Sequence, residues 1–280
     1  MGKLFVVATP IGNFDDITYR AVKILSSVDL IAAEDTRNTG LLLSHLNIKA
    51  KLISLHQHNE EERSKEIILM LKKGALIALV SDAGTPSISD PGYKLVNMAV
   101  KENISVVPIP GVSAAIAALS VSGIATDSFI FKGFVSKKAN KRIEQLKELS
   151  SETRTVVFYE SPKRILRLVS EIYMVMENRD CVIAREVTKP YEEFIRGSLS
   201  EVIKILERKK AVKGECTLVL AGKKETILTE INQDVKNDII NHLSECVCKT
   251  SILAGKISEK YGLPKKMIYN EILHIKQGGK

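Results

Sequence analysis

The sequence predicts an α/β protein made of two α/β domains with a small helical appendage at the C-terminus. Three observations carry that expectation. Short apolar runs alternate with helical patterns up to residue 121, the pattern of a largely parallel sheet. After Gly123, strand patterns at residues 129–131, 155–159, 182–184, 194–197 and 216–221 are unevenly spaced, as in a mixed sheet with helices. From Glu225 onward strand patterns stop, and helical ones remain at residues 239–247, 251–261 and 264–275. The expected domains are residues 1–112, 113–224 and 225–280.

Residues 4–8 form the first strand, broken by Thr9-Pro10-Ile11-Gly12-Asn13. Thr18 is placed to cap a helix whose apolar face is Ala21, Val22, Ile24, Leu25 and Val28. Residues 30–33 form a second strand with Glu34-Asp35-Thr36-Arg37 at its end, and residues 51–55 a third. The next helix opens on Asn59-Glu60-Glu61-Glu62 and closes on Lys72-Lys73, a polarity that suits the helix macrodipole. Residues 75–80 have no polar interruption and read as a strand buried on both faces. They lead into Ser81-Asp82-Ala83-Gly84-Thr85-Pro86-Ser87-Ile88-Ser89-Asp90-Pro91-Gly92, a loop too rich in turn formers to be core. Asp90-Pro91 is expected to supply the cap and first-turn proline of the helix at 93–101. A strand at 104–108 leads through Pro110-Gly111-Val112-Ser113-Ala114 into an apolar helix at 112–121.

In the second half, the strand at 155–159 ends at Glu160, and Ser161-Pro162 is again expected to start a helix, at 163–176. Lys163, Arg164 and Arg167 near its start oppose the dipole, so local stability does not explain them, whereas binding an anion would. In the tail, Ala254, Ile257, Gly262, Leu263 and Ile268 match helix-turn-helix spacing, with the turn at Gly262-Leu263-Pro264. Eight Lys/Arg against seven Asp/Glu from residue 225 on do not argue for a strong DNA binder. A packing or RNA-positioning appendage fits better.

At 280 residues, 45% hydrophobic and 26% charged, the chain has the composition of a globular protein with room for two cores. The net charge of +8 favours an anionic partner such as nucleic acid. Residues 132–167 hold ten Lys/Arg against four Asp/Glu. A solvated helix face explains part of that excess, and Lys137, Lys138, Lys141 and Arg142 join Lys163, Arg164 and Arg167 as candidates for a nucleic-acid backbone track. Cys181 and Cys216 lie in apolar runs and read as buried, while Cys246-Val247-Cys248 has no partner pair at zinc spacing. His56-Gln57-His58 reads as a turn rather than a metal site. No run approaches the ~18 apolar residues of a membrane span, and the N-terminal run is too short for a signal segment. The expected setting is a reducing cytoplasm, with no membrane and no metal.

There is no G-x-G-x-x-G after the first strand, no phosphate-binding G-x-x-x-x-G-K-[ST], and no G-x-S-x-G, which argues against dinucleotide, nucleotide-hydrolysing and serine-hydrolase chemistry. What remains is a set of strand-end loops, residues 9–13, 34–37, 81–90 and 110–114. In an open α/β sheet these are expected to converge on one cleft.

Pro10, Gly84-Thr85-Pro86 and Pro110-Gly111-Val112-Ser113-Ala114 resemble the tetrapyrrole methylase-like, class III S-adenosyl-L-methionine-dependent methyltransferases. Ala8-Thr9-Pro10-Ile11-Gly12-Asn13, Ala33-Glu34-Asp35-Thr36-Arg37, Tyr159-Glu160-Ser161-Pro162-Lys163-Arg164 and Arg185-Glu186-Val187-Thr188-Lys189 resemble its branch acting on ribosomal RNA. Many tetrapyrrole methylases carry G-x-G-P-G and G-D-P where this chain has Thr9-Pro10-Ile11-Gly12 and Thr85, a departure that fits the RNA branch. The resemblance implies a homodimer with a donor cleft between two α/β domains. It also implies 2′-O-methylation of a cytidine ribose in 16S rRNA of the small ribosomal subunit, which makes the nucleic-acid track an RNA track. For the donor it points to Pro10, Asp82, Gly84, Thr85, Ser87, Ile88, Ser113, Ala114, Tyr159 and Glu160.

Methyl transfer to a hydroxyl is an in-line displacement that needs positioning and a dry cleft, and a base or cation at the oxygen helps. Candidates are Glu34, Asp35, Glu186 and Lys189, with Arg37 as an RNA contact. For Glu34 and Asp35 the competing reading is a helix cap or a pair with Arg37. Two other readings stand beside this one: a corrin or siroheme C-methyltransferase of the same fold, and a helix-turn-helix regulator. The basic stretch argues against the first, and the second leaves the loop cluster unexplained.

Overall fold

The computed structural model describes residues 2–209, 211–224, 231–245 and 249–278. The chain divides into two compact units, Met1–Lys223 and Lys224–Lys280. Cys246 and Cys248 lie outside the described residues, as does the segment at 225–230.

The larger unit holds two five-stranded sheets. The first is built from β1 (Lys3–Val7), β2 (Leu30–Ala33), β3 (Leu52–Ser54), β4 (Leu76–Val80) and β5 (Ser105–Ile109). All its pairings are parallel, in the order β3-β2-β4-β1-β5. Helices α1 (Tyr19–Ser27), α2 (Thr36–His45), α3 (Glu60–Lys72) and α4 (Tyr93–Lys101) connect the strands. Ile77 and Leu79 of β4 pack with Ile67, Leu71 and Leu95 of α3 and α4, whereas Ala78 and Val80 pack with Ala21, Leu25 and Leu43 of α1 and α2. This alternation explains the unbroken apolar run, because both faces of the strand are covered by helices.

Helix starts divide into two kinds. Thr18 caps α1 as expected, its Oγ1 accepting the Ala21 N–H at 3.1 Å. Asp90-Pro91 does not start α4. Gly92, at φ +126, occupies the cap position, and the Gly92 and Lys94 N–H groups donate to Glu60 Oε1 at 2.8 and 2.9 Å. Glu60, expected to serve the dipole of its own helix, is buried as the cap of its neighbour.

The second sheet contains β6 (Phe129–Phe134), β7 (Thr155–Glu160), β8 (Asp180–Arg185), β9 (Glu193–Ser198) and β10 (Cys216–Leu220), in the order β6-β7-β10-β8-β9. Only the β6–β7 pairing among them is parallel, so the sheet is mixed as expected. Helix α5 (Ala114–Ser120) covers one face, with Ala115, Ala118 and Leu119 against Val157, Val182 and Val219. Helices α6 (Ala139–Glu148), α7 (Ile165–Met176) and α8 (Leu199–Arg208) cover the other, around Phe158, Ile183 and Leu218.

Two expectations fail here. Helix α7 begins at Ile165, two residues after the expected start, because Glu160 draws the preceding turn to itself. Its Oε1 accepts the Ser161 N–H at 2.6 Å and pairs with Arg164 at 2.5 Å. Arg142, expected on the RNA track, is buried against Glu171 at 2.5 Å and donates to the Ser136 and Lys137 carbonyls. A desolvated guanidinium held on four sides cannot also meet a phosphate.

The smaller unit has α9 (Gln233–Glu245), α10 (Thr250–Tyr261) and α11 (Lys265–Gly278). Its core includes Ala254, Ile257, Leu263 and Ile268. Gly262 follows α10 in the left-handed region at φ +67, so the expected turn at Gly262-Leu263-Pro264 is present, while α9 begins at Gln233, six residues before the expected start at 239.

Candidate functional site

Because β2, β4, β1 and β5 lie side by side, the four polar loops after them are neighbours. Thr9 and Gly84 exchange both backbone hydrogen bonds at 2.9 Å, tying the β1 loop to the β4 loop. The Asp35 N–H donates to Asp82 Oδ1 at 3.1 Å, and the Asp82 N–H to Glu34 Oε2 at 3.3 Å. Thr85 Oγ1 donates to the Val112 carbonyl at 3.3 Å. A Cβ on Gly111 would sit 2.9 Å from Ala8 Cβ, so that residue has to be small. The four loops are tied together as neighbours, but they do not line one cleft: residues 34–37 line neither of the two cavities beside them. Ser87 and Ser89 adopt φ +70 and +67 within the β4 loop, strain of about 1–3 kcal/mol each that the core beneath offsets.

A cavity of ≈ 300 Å³ opens between these loops and the second sheet. It gathers Gly84, Thr85, Ile88, Ser113, Ala114, Tyr159 and Glu160, seven of the ten residues predicted for the donor. Tyr159 Oη accepts the Ala115 N–H at 3.1 Å, which fixes its ring in the wall. Pro10 and Asp82 line a second cavity of ≈ 360 Å³ instead. Ser87 lines neither; its buried hydroxyl, without a hydrogen-bond partner, lies where a Cβ on Gly92 would collide with it. Ile11, Ala83 and Glu215 line both cavities and form their common wall.

The candidate acid–base groups sort by environment. Asp35 caps α2 and is held down at about 2 by its hydrogen bonds to Arg37, so the competing reading of Asp35 is the observed one. Burial raises the Glu34 carboxyl, only partly countered by the Asp82 N–H. Burial also raises Glu186, but the Glu215 N–H and the Lys189 ammonium outweigh it and the net shift is downward. Lys189 is desolvated yet held up by Glu186 and Glu215, each 3.0 Å from Nζ, so it remains an ammonium. The Lys189 stem lies against Gly12, where a Cβ would come within 2.3 Å of its Cγ.

Sequence reasoning missed Asp90. It lines the first cavity, and burial, then Glu34, push its carboxyl up to about 7. The polar residues Ser87, Ser89 and Asp90 at the end of the loop were the available signal, but Asp-Pro reads first as a helix cap. Phe134, Cys216 and Thr217 of the second sheet, and Glu215 just before β10, were missed as well. Burial pushes the Cys216 thiol up to about 11.

Of the proposed RNA contacts, Lys137, Lys138, Lys141, Lys163 and Arg167 are exposed, and Arg167 shares Glu171 with Arg142. Arg164 is half-buried on Glu160, and the Arg37 side chain is 88% exposed beside Asp35. Among the described residues no cluster of His, Cys, Asp and Glu is arranged to hold a metal, and no helix is long and apolar enough to cross a membrane.

The family model described as Tetrapyrrole (Corrin/Porphyrin) Methylases matches residues 3–203. A protein of Thermotoga maritima named Ribosomal RNA small subunit methyltransferase I is 50% identical over 223 residues, covering 80% of this chain and all of that one. Proteins of the same name from Synechocystis sp. and Escherichia coli O157:H7 are 43% and 42% identical, covering 100% and 97% of this chain and 100% and 95% of theirs. Among solved structures, a cobalt precorrin-4 methyltransferase aligns with TM-score 0.58 at 17% identity, covering 78% of this chain and 94% of that one. A uroporphyrin-III C-methyl transferase from Thermus thermophilus, complexed with S-adenyl homocysteine, aligns at 0.57 and 16%, covering 79% and 97%. Those two likenesses show the fold. With the matched model spanning most of both sheets and the relatives spanning nearly the whole chain, this chain belongs to the tetrapyrrole (corrin/porphyrin) methylase family.

Proposed function

We propose that the chain transfers a methyl group from S-adenosyl-L-methionine to the ribose 2′-hydroxyl of a cytidine in 16S rRNA of the small ribosomal subunit. The observation that carries it is the first cavity, where loops of both sheets bring seven expected donor residues together. The names of the relatives add the substrate class. The lining suits the donor: Ile11, Ile88, Phe134 and Tyr159 offer apolar walls for a nucleoside ring, and the carboxylates Asp90, Glu160 and Glu215 lie along the wall, Glu160 paired with Arg164 and Glu215 with Lys189. Gly84, at φ +78, leaves room where a side chain would intrude.

When bound, the donor supplies a methyl carbon on a sulfonium leaving group. The chain's own residues provide alignment and proton handling. Asp90 lines the donor cavity, and with burial pushing its carboxyl up to about 7 it is the candidate to accept the proton of the acceptor hydroxyl. Lys189, anchored to Glu215 at the common wall, keeps a fixed positive charge that offsets the negative charge building on the acceptor oxygen. Homodimer formation in the cytoplasm belongs to this reading, supported by the exposed apolar Ile116 and Val121 at α5.

The test is incubation with methyl-labelled donor and unmodified small subunits, in parallel with a corrinoid or porphyrinoid precursor. Label on one ribose of the RNA is the expected result. Label on the macrocycle alone would overturn the reading.

A further inference from the structure

We infer that the second cavity receives an unstacked nucleobase of the RNA substrate, with Phe14 as its stacking platform and Asn38 and Asp82 as readers of its edge. The inference rests on the methyl-transfer reading above and assigns the acceptor's place within it.

The cavity meets the donor cavity at Ile11, Ala83 and Glu215. A base held in it sets its own ribose at that common wall, within reach of both compartments. Its ≈ 360 Å³ lies in the usual size range of small-molecule sites.

Phe14 sits on a one-turn 3-10 helix, Phe14–Asp16, fixed by Asn13, whose side chain accepts the Asp15 N–H at 3.1 Å. Its ring is braced by His45, centroid to centroid 4.6 Å, yet Phe14 keeps 42% of its surface exposed. An aromatic side chain supported behind and open in front is what base stacking requires. Leu41, also exposed, extends the apolar rim.

Charge decides which part of a nucleotide enters. Asp82 and Glu215 are the carboxylates that line the cavity, and Glu34 and Asp35 stand behind Asp82, with the exposed Arg37 turned onto Asp35. A phosphate is repelled there, and a neutral base is not. The Asn38 Nδ2 donates to Asp82 Oδ2 at 2.9 Å. A carboxylate only accepts, so the amide nitrogen must face it and the Asn38 Oδ1 is left as an acceptor. The edge is therefore rich in acceptors. It fits a base that presents an amino group, a contact a carboxylate makes well. A base stacked inside a duplex cannot reach it, so the target must be splayed out.

The test uses the full chain with unmodified small subunits. Phe14→Ala is expected to raise KM for the subunit about tenfold or more, with kcat little changed and donor affinity by calorimetry unaltered. Phe14→Tyr, which keeps the ring, is expected to restore KM. Unchanged KM in Phe14→Ala would overturn the assignment, as would a parallel loss of donor affinity, which would place the donor in this cavity. A wild-type chain that binds donor but transfers nothing to RNA would instead overturn the methyl-transfer reading, and this inference with it.

Discussion

Burial, and then Glu34, oppose ionisation of the Asp90 carboxyl and push it up to about 7. Its folded pKa lies above its unfolded one, so the folded state holds the extra proton and stability falls as pH rises from about 4 to about 7. Asp90→Asn removes that penalty. After allowance for solvent screening, the variant is expected to be about 1 kcal/mol more stable than wild type at pH 8, with no gain at pH 4. Thermal melts at the two pH values read this, and an equal shift at both would exclude it. The same variant is expected to lose the rise in methyl-transfer rate through neutrality. Gly84 makes a contrasting case. A Cβ there has 3.6 Å to Ile11 Cγ2, so the backbone cost of Gly84→Leu is that of φ +78, about 1–2 kcal/mol. The side chain, however, enters the cavity. Donor affinity is expected to drop by about a hundredfold or more with the melt lowered only a few degrees, and unchanged affinity would place the donor elsewhere.

At the scale of elements, the loop at 81–92 is held at one end by β4 and at the other by a cap from a different helix. Glu60 is 32 residues from Gly92 in sequence. Glu60→Ala removes an acceptor shared by two N–H groups. The expected loss is about 1–2 kcal/mol, with weaker donor binding because the loop loses its C-terminal anchor; Glu60→Gln keeps an acceptor and is expected to recover much of both. Melting and calorimetry on the pair check this, and full donor affinity in Glu60→Ala would show that the anchor is dispensable. The same contact marks where sequence reading stops. Thr18 caps the helix next to it, so local chemistry was enough. Asp90-Pro91 presents the same local chemistry, but a carboxylate from another helix reached the N–H groups first and freed Asp90 for the cavity. The positive φ values of Ser87 and Ser89 could not be read either, because serine carries no preference for them.

Across the whole molecule, the donor loops of the first sheet were legible because a parallel sheet puts every strand's carboxyl end on one side. The contributions of the second sheet were not. There β10 runs antiparallel to both neighbours, and which of its residues face the cleft depends on register with β7 and β8. Composition had the same limit. It located a basic stretch, but the fold divided it, burying Arg142 on Glu171 and leaving Lys137, Lys138 and Lys141 in solvent. Replacing those three lysines by alanine is expected to flatten the dependence of log affinity for RNA on log salt by about two, with no loss of melting temperature. An unaltered salt slope would remove this face from the RNA contact.

The central place of β1 has a consequence for how the chain is made. Its partners are β4 and β5, so Lys3 must wait for Leu76 before one edge of the strand is paired and for Ser105 before the other is. At about 5–20 residues per second, synthesis of that interval takes on the order of 5–20 seconds. For that time the earliest strand keeps at least one ladder open. Closure of the sheet, and with it the joining of Thr9 to Gly84, is a late event with large loop entropy to overcome. The loop side of the donor compartment therefore forms only once β5 is made, its other wall waits for Thr217 of β10, and nascent chains short of β5 are the ones that carry an unpaired β1 edge.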